Sequence, residues 1–235
     1  GVRAALEDRA IRRANTRITV DQARDATWTE EEIRDANDRV WDASRIVRFL
    51  PQLNARRLDY FYNVGTNDSV TPALLELGKE WPEFPINIVA GGQHGGPATA
   101  GYTRRVTIQP EVEANLKSFA LNHFFDEAVI FEAPSIASVW NEETQRLEIT
   151  AKFSDGSEPD TNELWWTFDK SMPYTLAFEY DTWESVSMKR IGAGLYGAEI
   201  DCENRSAKLD YLTSHTRAQN SLSWKRSSPY QRFSP

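Results

Sequence analysis

The chain of 235 residues has one cysteine, and none of its hydrophobic runs approaches the roughly 18 residues that a membrane-spanning helix needs. The single cysteine, Cys202, excludes an internal disulfide framework and is typical of a small apolar filler in a core. Basic residues are scarce as well, because 27 lysines and arginines stand against 35 aspartates and glutamates and leave a net charge of −8. This balance argues against nucleic acid or an anionic membrane surface as a partner.

Metal and cofactor motifs are also missing. The three histidines, His94, His123 and His215, do not have the mutual spacing of metal ligands. A glycine-rich stretch covers residues 91–96, but Pro97 stands where a Walker A motif has lysine, and the dinucleotide pattern Gly-x-Gly-x-x-Gly does not occur there. The sequence therefore predicts neither a metal nor a cofactor.

The first 50 residues carry helical patterns. Residues 3–14 place apolar side chains at helical spacing, and Thr29 with Glu32 forms a capping box ahead of a second apolar face that Pro51 interrupts. We expect helices over 3–14 and about 30–49. No targeting segment is visible at this end, which leaves the compartment undetermined.

The hydrophobic period changes after this region. Residues 58–64 and 85–90 are apolar runs of strand length that are followed by glycines, as expected of strands buried on both faces. Helices are predicted over 72–78 and 109–125, and one face of the second carries Val112, Leu116, Phe119, Ala120 and Phe124. The order of strand, helix, strand and helix predicts an α/β fold with parallel strands and right-handed crossovers.

Beyond Asp126 the pattern becomes that of an all-β domain. Short alternating segments at 147–153, 163–168, 176–180, 183–188 and 209–213 are separated by turn residues, which favours an immunoglobulin-like or fibronectin-like sandwich. We therefore place one domain at 1–127 and a β-sandwich at 128–235. Within it, alternate residues from Leu147 to Phe153 should face inward, and most of the five tryptophans should be covered rather than form a sugar-binding platform.

Two residues with catalytic chemistry follow the two predicted parallel strands. Asp68 lies in the loop after the first strand, and His94 lies in the glycine-rich loop after the second. Open α/β sheets form their sites at this edge, and a carboxylate beside an imidazole orients the imidazole as a general base. The alternative is structural: Asp68 closes a turn through its side chain, and His94 sits in a surface loop.

The two loops in this order resemble the acid and histidine loops in the C-terminal half of α/β-hydrolases. The resemblance implies that Asp68 is the acid and His94 the base of a Ser–acid–His triad, and that the helices within 1–50 form a lid. A sandwich behind such a domain is similar to the PhoPQ-activated pathogenicity-related proteins, which favours a secreted or periplasmic location. No Gly-x-Ser-x-Gly nucleophile motif occurs in the chain.

The resemblance therefore implies a fragment or subunit of a serine hydrolase that cleaves an ester or amide through an acyl-enzyme, with its nucleophile elsewhere. This chain alone is expected to be inactive. Its partners are expected to be the substrate and a complementary N-terminal chain or a second copy, because an unflanked parallel strand invites pairing. The alternative function is a non-catalytic interaction module, which the missing nucleophile motif favours.

Overall fold

The computed structural model describes residues 20–33, 35–36, 49–66, 74–92, 110–127, 130–169, 183–203 and 208–234. The chain divides into two compact units, Gly1–Asp59 and Tyr60–Pro235. The predicted helix at 3–14 and the predicted strand at 176–180 lie outside the described residues. The predicted domain boundary near residue 127 stays a prediction.

Short helices make up the described part of the first unit. Helix α1 is Val20–Asp25 and helix α2 is Leu50–Ala55, with Pro51 in the first turn of α2. Residues 30–33 and 35–36 are also helical. The predicted capping box is confirmed, because the Thr29 N–H donates to Glu32 Oε2 at 2.8 Å and the Glu32 N–H donates to Thr29 Oγ1 at 3.2 Å.

The second unit begins with a parallel pair of strands. Strand β1 is Tyr62–Gly65, helix α3 is Leu74–Glu80, strand β2 is Ile86–Val89 and helix α4 is Pro110–Phe125. The two strands are parallel, as their order predicted, with Tyr62 opposite Ile86 and Gly65 opposite Val89. Ile86 and Ile88 are 4 % and 2 % exposed, so the face of β2 that carries these two side chains is buried.

Two antiparallel sheets follow and form a sandwich. The strands are β3 Ser135–Asn141, β4 Arg146–Lys152, β5 Thr161–Phe168, β6 Glu184–Ser187, β7 Lys189–Gly192, β8 Leu195–Asp201, β9 Leu209–Gln219, β10 Leu222–Ser227 and β11 Gln231–Phe233. One sheet has the order β3-β4-β8-β7, and the other has the order β10-β9-β5-β6 with β11 also paired to β9. These orders correspond to A-B-E-D and G-F-C-C′ of an immunoglobulin-type sandwich.

The core of the sandwich lies between the two sheets. The β4 side of the core packs on Leu164 and other residues of the opposite sheet. It consists of Leu147, Ile149, Ala151 and, just after the strand, Phe153. The predicted alternation along β4 is confirmed, since Leu147, Ile149 and Ala151 are fully buried while Glu148 and Lys152 are exposed. Cys202 is 2 % exposed in the same core. None of the five tryptophans falls among the exposed residues, as predicted: Trp140, Trp165, Trp166, Trp183 and Trp224.

Helix α4 covers the outer edge of β10. The Asn115 amide donates to Lys225 O at 2.8 Å and accepts from the Lys225 N–H at 2.7 Å, so it acts as a short substitute for a neighbouring strand. Ser118 Oγ donates to Ser223 O at 2.8 Å. These bonds pair main-chain groups that an edge strand would otherwise leave open.

Strand β2 of the parallel pair also contacts the sandwich. The Ile88 N–H of β2 donates to Ser227 Oγ of β10 at 2.8 Å. Phe61, next to β1, lies 4.3 Å from Trp224 and 6.2 Å from Phe119 between ring centroids. The parallel strands, α4 and the sandwich therefore share contacts within one compact unit.

This architecture corrects the predicted fold class and the α/β-hydrolase resemblance. The described residues form mainly antiparallel sheets, and their parallel sheet has two strands rather than the many-stranded core of a hydrolase. The alternation of strands and helices fixes only that successive strands run parallel, and it does not fix how many strands join the sheet. Here the sandwich strand β10 lies beside β2, where a larger sheet would continue.

Every helix that the structure describes is too short or too polar to traverse a lipid bilayer.

Candidate functional site at the ends of the parallel strands

The predicted acid and base, Asp68 and His94, lie outside the described residues. The structure does describe where their segments begin. Strand β1 ends at Gly65 and is followed by Thr66, two positions before Asp68. Strand β2 ends at Val89, and Gly91 and Gly92 follow it, with Gly92 two positions before His94. Because β1 and β2 are parallel neighbours, both segments follow the same end of the sheet, where the strands have their C-terminal residues.

A side-chain hydrogen bond joins the starts of the two segments. Thr66 Oγ1 accepts from the Gly91 N–H at 2.8 Å, and the Thr66 N–H donates to Val89 O at 3.0 Å. Thr66 is fully buried, so water does not compete for these bonds. The threonine fixes the first turn after β2 against the end of β1.

The two glycines of this turn allow a close approach of the main chain. Gly91 has a φ of +71°, a conformation that side chains with a Cβ rarely adopt. A Cβ added at Gly92 would lie 2.9 Å from Val89 Cβ and 3.1 Å from Gly65 Cα. The turn therefore packs directly on the strand ends, and a larger residue at position 92 would push it away.

A tryptophan of the sandwich, Trp183, lies beside this turn. Trp183 Cδ1 lies 3.8 Å from the position that a Cβ of Gly91 would take. The indole also meets the fully buried Tyr230 edge to face, with ring centroids 6.2 Å apart. Trp183 Nε1 is buried and has no hydrogen-bond partner among the described residues.

A buried asparagine network lies along the same strands. Asn63 Oδ1 accepts from Asn87 Nδ2 at 3.2 Å and from Asn115 Nδ2 at 3.1 Å. Asn87 and Asn115 are fully buried. The Asn115 amide is oriented by its two bonds to Lys225, so the network links β1, β2 and α4 to the sandwich edge. It holds these elements together, and Asn87 Oδ1 is buried without a hydrogen-bond partner among the described residues.

The groups with large pKa shifts lie away from this edge, in the sandwich core. Burial lowers the pKa of His215 to about 3, and the ring is held by Asn162 Oδ1 at 2.7 Å and Thr213 Oγ1 at 2.8 Å. Burial lowers the pKa of Arg226 to about 10, which leaves it charged at neutral pH, with its guanidinium 5.9 Å over the Phe61 ring. Both side chains are buried, His215 fully and Arg226 with 8 % of its surface exposed.

Sequence reasoning missed Thr66, Trp183 and Asn115. Thr66 directly follows the glycine that ends β1, and a hydroxyl at that position was the available signal for a bond across the strand ends. Trp183 and Asn115 gave no signal, because their roles depend on contacts with residues far away in the chain.

Within the described parts of the chain, no three His, Cys, Asp or Glu side chains come close enough to hold a metal ion. Comparison with known protein families, with curated proteins and with solved structures found no match to this chain.

Proposed function

We propose that Asp68 and His94 form the acid–base pair of a serine hydrolase that cleaves an ester or amide bond. The observation that carries the proposal is the hydrogen bond between Thr66 and Gly91, which ties together the starts of the two segments that hold these residues. Asp68 follows Thr66 by two positions, and His94 follows Gly91 by three. That is a short enough distance for the two side chains to reach each other.

The proposed chemistry follows from the two side chains. Asp68 accepts the Nδ1–H of His94, which leaves Nε2 as the base and stabilises the imidazolium that forms. Nε2 takes the proton of a serine hydroxyl as the serine oxygen attacks the substrate carbonyl, and then gives this proton to the leaving group. Water deacylates the enzyme by the same proton transfers. In this proposal the serine is supplied by another polypeptide.

The test is the tautomer of His94, read by 15N NMR at neutral pH on histidine-labelled protein. We expect the Nδ1–H form to dominate in the wild type and the Nε2–H form to dominate after Asp68→Asn, because an amide no longer enforces the acceptor role. Asp126→Asn is the matched control, since Asp126 is an exposed aspartate at the end of α4. A His94 ring that is Nε2–H in the wild type and unchanged by Asp68→Asn would refute the pair.

We further propose that the polypeptide with the serine adds a strand to the outer edge of β1. The N–H groups of Tyr62 and Thr66 point toward β2, where they bond Pro85 O and Val89 O. The alternate residues, Asn63 and Gly65, therefore direct their main-chain groups to the opposite side. No described strand pairs with β1 there.

An apolar stripe on helix α4 supports the same surface. Leu116 and Phe124 are 51 % and 78 % exposed, and with the half-buried Ala120 they recur every four residues. Successive residues of an α-helix are rotated by about 100° around the helix axis. Leu116 is therefore displaced by one such rotation from Asn115, and Ala120 by one from Phe119. Asn115 contacts both Asn63 of β1 and Lys225 of β10, and Phe119 packs on Phe61 beside β1. The proposed surface includes the apolar stripe that lies next to these two positions on the helix.

Sedimentation tests this surface. Without the complementary polypeptide, we expect the chain to associate with itself as its concentration rises, because an unpaired edge beside an apolar stripe is a template for pairing. Leu116→Asp should weaken the association, whereas Val139→Asp should not, since Val139 is 64 % exposed but lies on β3 of the sandwich. A monomer over a wide concentration range would contradict the proposal.

The second candidate function, a non-catalytic interaction module, rests on the same exposed surface together with the missing nucleophile motif. The His94 tautomer separates the two functions. A module has no need of an imidazole held by Asp68, whereas the hydrolase requires it.

A further inference from the structure

Side chains of α4 bond the main-chain groups on the outer side of β10, which ends its sheet among the described strands. The Asn115 amide donates to Lys225 O at 2.8 Å and accepts from the Lys225 N–H at 2.7 Å, the pair of bonds that a neighbouring strand would make. Ser118 Oγ donates to Ser223 O at 2.8 Å. The helix therefore occupies an edge that could otherwise accept an additional strand.

An ion pair completes the contact between the helix and this edge. Lys225 Nζ lies 2.9 Å from Glu111 Oε2, and the two side chains are only 21 % and 25 % exposed. Lys225 thus offers a main-chain donor, a main-chain acceptor and a cation, and α4 supplies an amide and a carboxylate to them. A segment that took the place of α4 would need main-chain groups for the edge and a carboxylate for the lysine, because a partly buried charge is costly without a partner.

The attachment of α4 to β10 depends strongly on these polar contacts. Phe119 packs on Phe61, but Leu116, Phe124 and Phe125 are exposed. A hydrogen bond that is exchanged for one to water contributes less net free energy than the burial of a large apolar side chain. Release of α4 should therefore require less free energy than unfolding of the sandwich.

We propose that α4 is a releasable cap on the edge of β10, and that the open edge binds an extended acidic segment of another polypeptide. The segment adds as a strand along Ser223 and Lys225, and one of its carboxylates replaces Glu111 beside the lysine. The inference is independent of the acid–base pair, since it uses only the contacts between α4 and β10.

Binding of a labelled hexapeptide that alternates threonine and glutamate, measured by fluorescence anisotropy on the full chain, tests the proposal. Asn115→Ala removes the bonds of the helix to Lys225 and leaves the main-chain groups of β10 in place. Because the peptide binds only the open form, its apparent Kd falls as the open fraction rises. We expect Asn115→Ala to lower the Kd on the order of tenfold, since two hydrogen bonds that hold the cap are lost.

Two controls accompany this measurement. Lys117→Ala is the matched variant, because Lys117 is exposed on the same helix, and it should leave the Kd unchanged. A hexapeptide that alternates threonine and lysine should not bind, since it brings a cation to Lys225. Binding of the lysine peptide as tight as that of the glutamate peptide would refute the acidic segment as the ligand.

Hydrogen exchange measures the release of the cap independently. A released α4 is a helix of 16 residues, and isolated helices of this length are marginal in water, so its amides should exchange when it leaves β10. Asn115→Ala should speed the exchange of the Phe119 amide by the same factor by which it tightens peptide binding. The amide of Leu212, in the central strand β9, should not change.

Equal binding of the glutamate peptide by the wild type and Asn115→Ala, or no binding by either, would refute the proposal. An unchanged exchange rate at Phe119 would refute the release of α4. Circular dichroism checks that each variant is folded. Should Asn115→Ala not fold, Ser118→Ala is the second variant: it removes one bond, is expected to lower the Kd about fivefold, and refutes the proposal if the Kd stays at the wild-type value.

Discussion

Acidification from pH 6.5 to pH 4 should lower the free energy of unfolding by about 3 kcal/mol through His215 alone. The ring is fully buried between Asn162 and Thr213 and edge to face with Phe153 at 4.9 Å. Burial lowers the pKa of His215 to about 3, whereas the ordinary pKa of histidine is 6.5. Between these values the unfolded chain binds a proton that the folded chain excludes, so stability is present above pH 6.5 and is lost as the pH falls.

Urea unfolding at pH 7 and pH 4 measures this effect in the wild type and in His215→Gln, which has no proton to gain. The variant should lose the histidine contribution to the pH dependence, whatever its stability at pH 7. Val139→Gln is the control, because Val139 is exposed on β3 and the substitution changes no titratable group. An equal loss of stability in the wild type and His215→Gln would show that the buried ring does not cause it.

Trp224→Ala should destabilise the second unit by about 3–5 kcal/mol, the usual cost of removing a buried tryptophan side chain. Trp224 is 2 % exposed, packs on Phe61 with ring centroids 4.3 Å apart, and donates from Nε1 to Phe131 O at 3.2 Å. The substitution removes apolar burial and leaves a cavity. It also removes the donor to a buried carbonyl.

Because Trp224 contacts Phe61 beside β1, we also expect faster amide exchange in α4, whose Phe119 packs on the same ring. Urea unfolding and hydrogen exchange measure the two effects. Trp165→Ala, at a half-buried tryptophan outside the core cluster, should cost less. Equal costs for the two variants would mean that Trp224 does not anchor the unit.

Local features could be predicted from the sequence because they depend on neighbouring residues. The capping box of Thr29 and Glu32 and the alternation along β4 follow from hydrogen bonding and side-chain period within a few residues. The parallel pairing of β1 and β2 followed from their order and from the helix between them. In each case the determining interactions lie close together in the chain.

Features that depend on distant partners were not predictable. The apolar spacing of α4 predicted that Leu116 and Phe124 face a core, but both are exposed and Asn115 and Ser118 face the sandwich. The reason is that β10 is an edge strand whose main-chain groups require hydrogen bonds, and the sequence of α4 does not reveal this requirement. Likewise, the size of the parallel sheet depends on β10, more than 130 positions after β2.

The distance between Asp68 and His94 in a crystal structure tests the proposed function most directly. We expect a carboxylate oxygen of Asp68 at about 2.6–3.2 Å from Nδ1 of His94, with Nε2 facing an open cleft. A separation too large even for one bridging water would contradict the acid–base pair and the hydrolase function that depends on it.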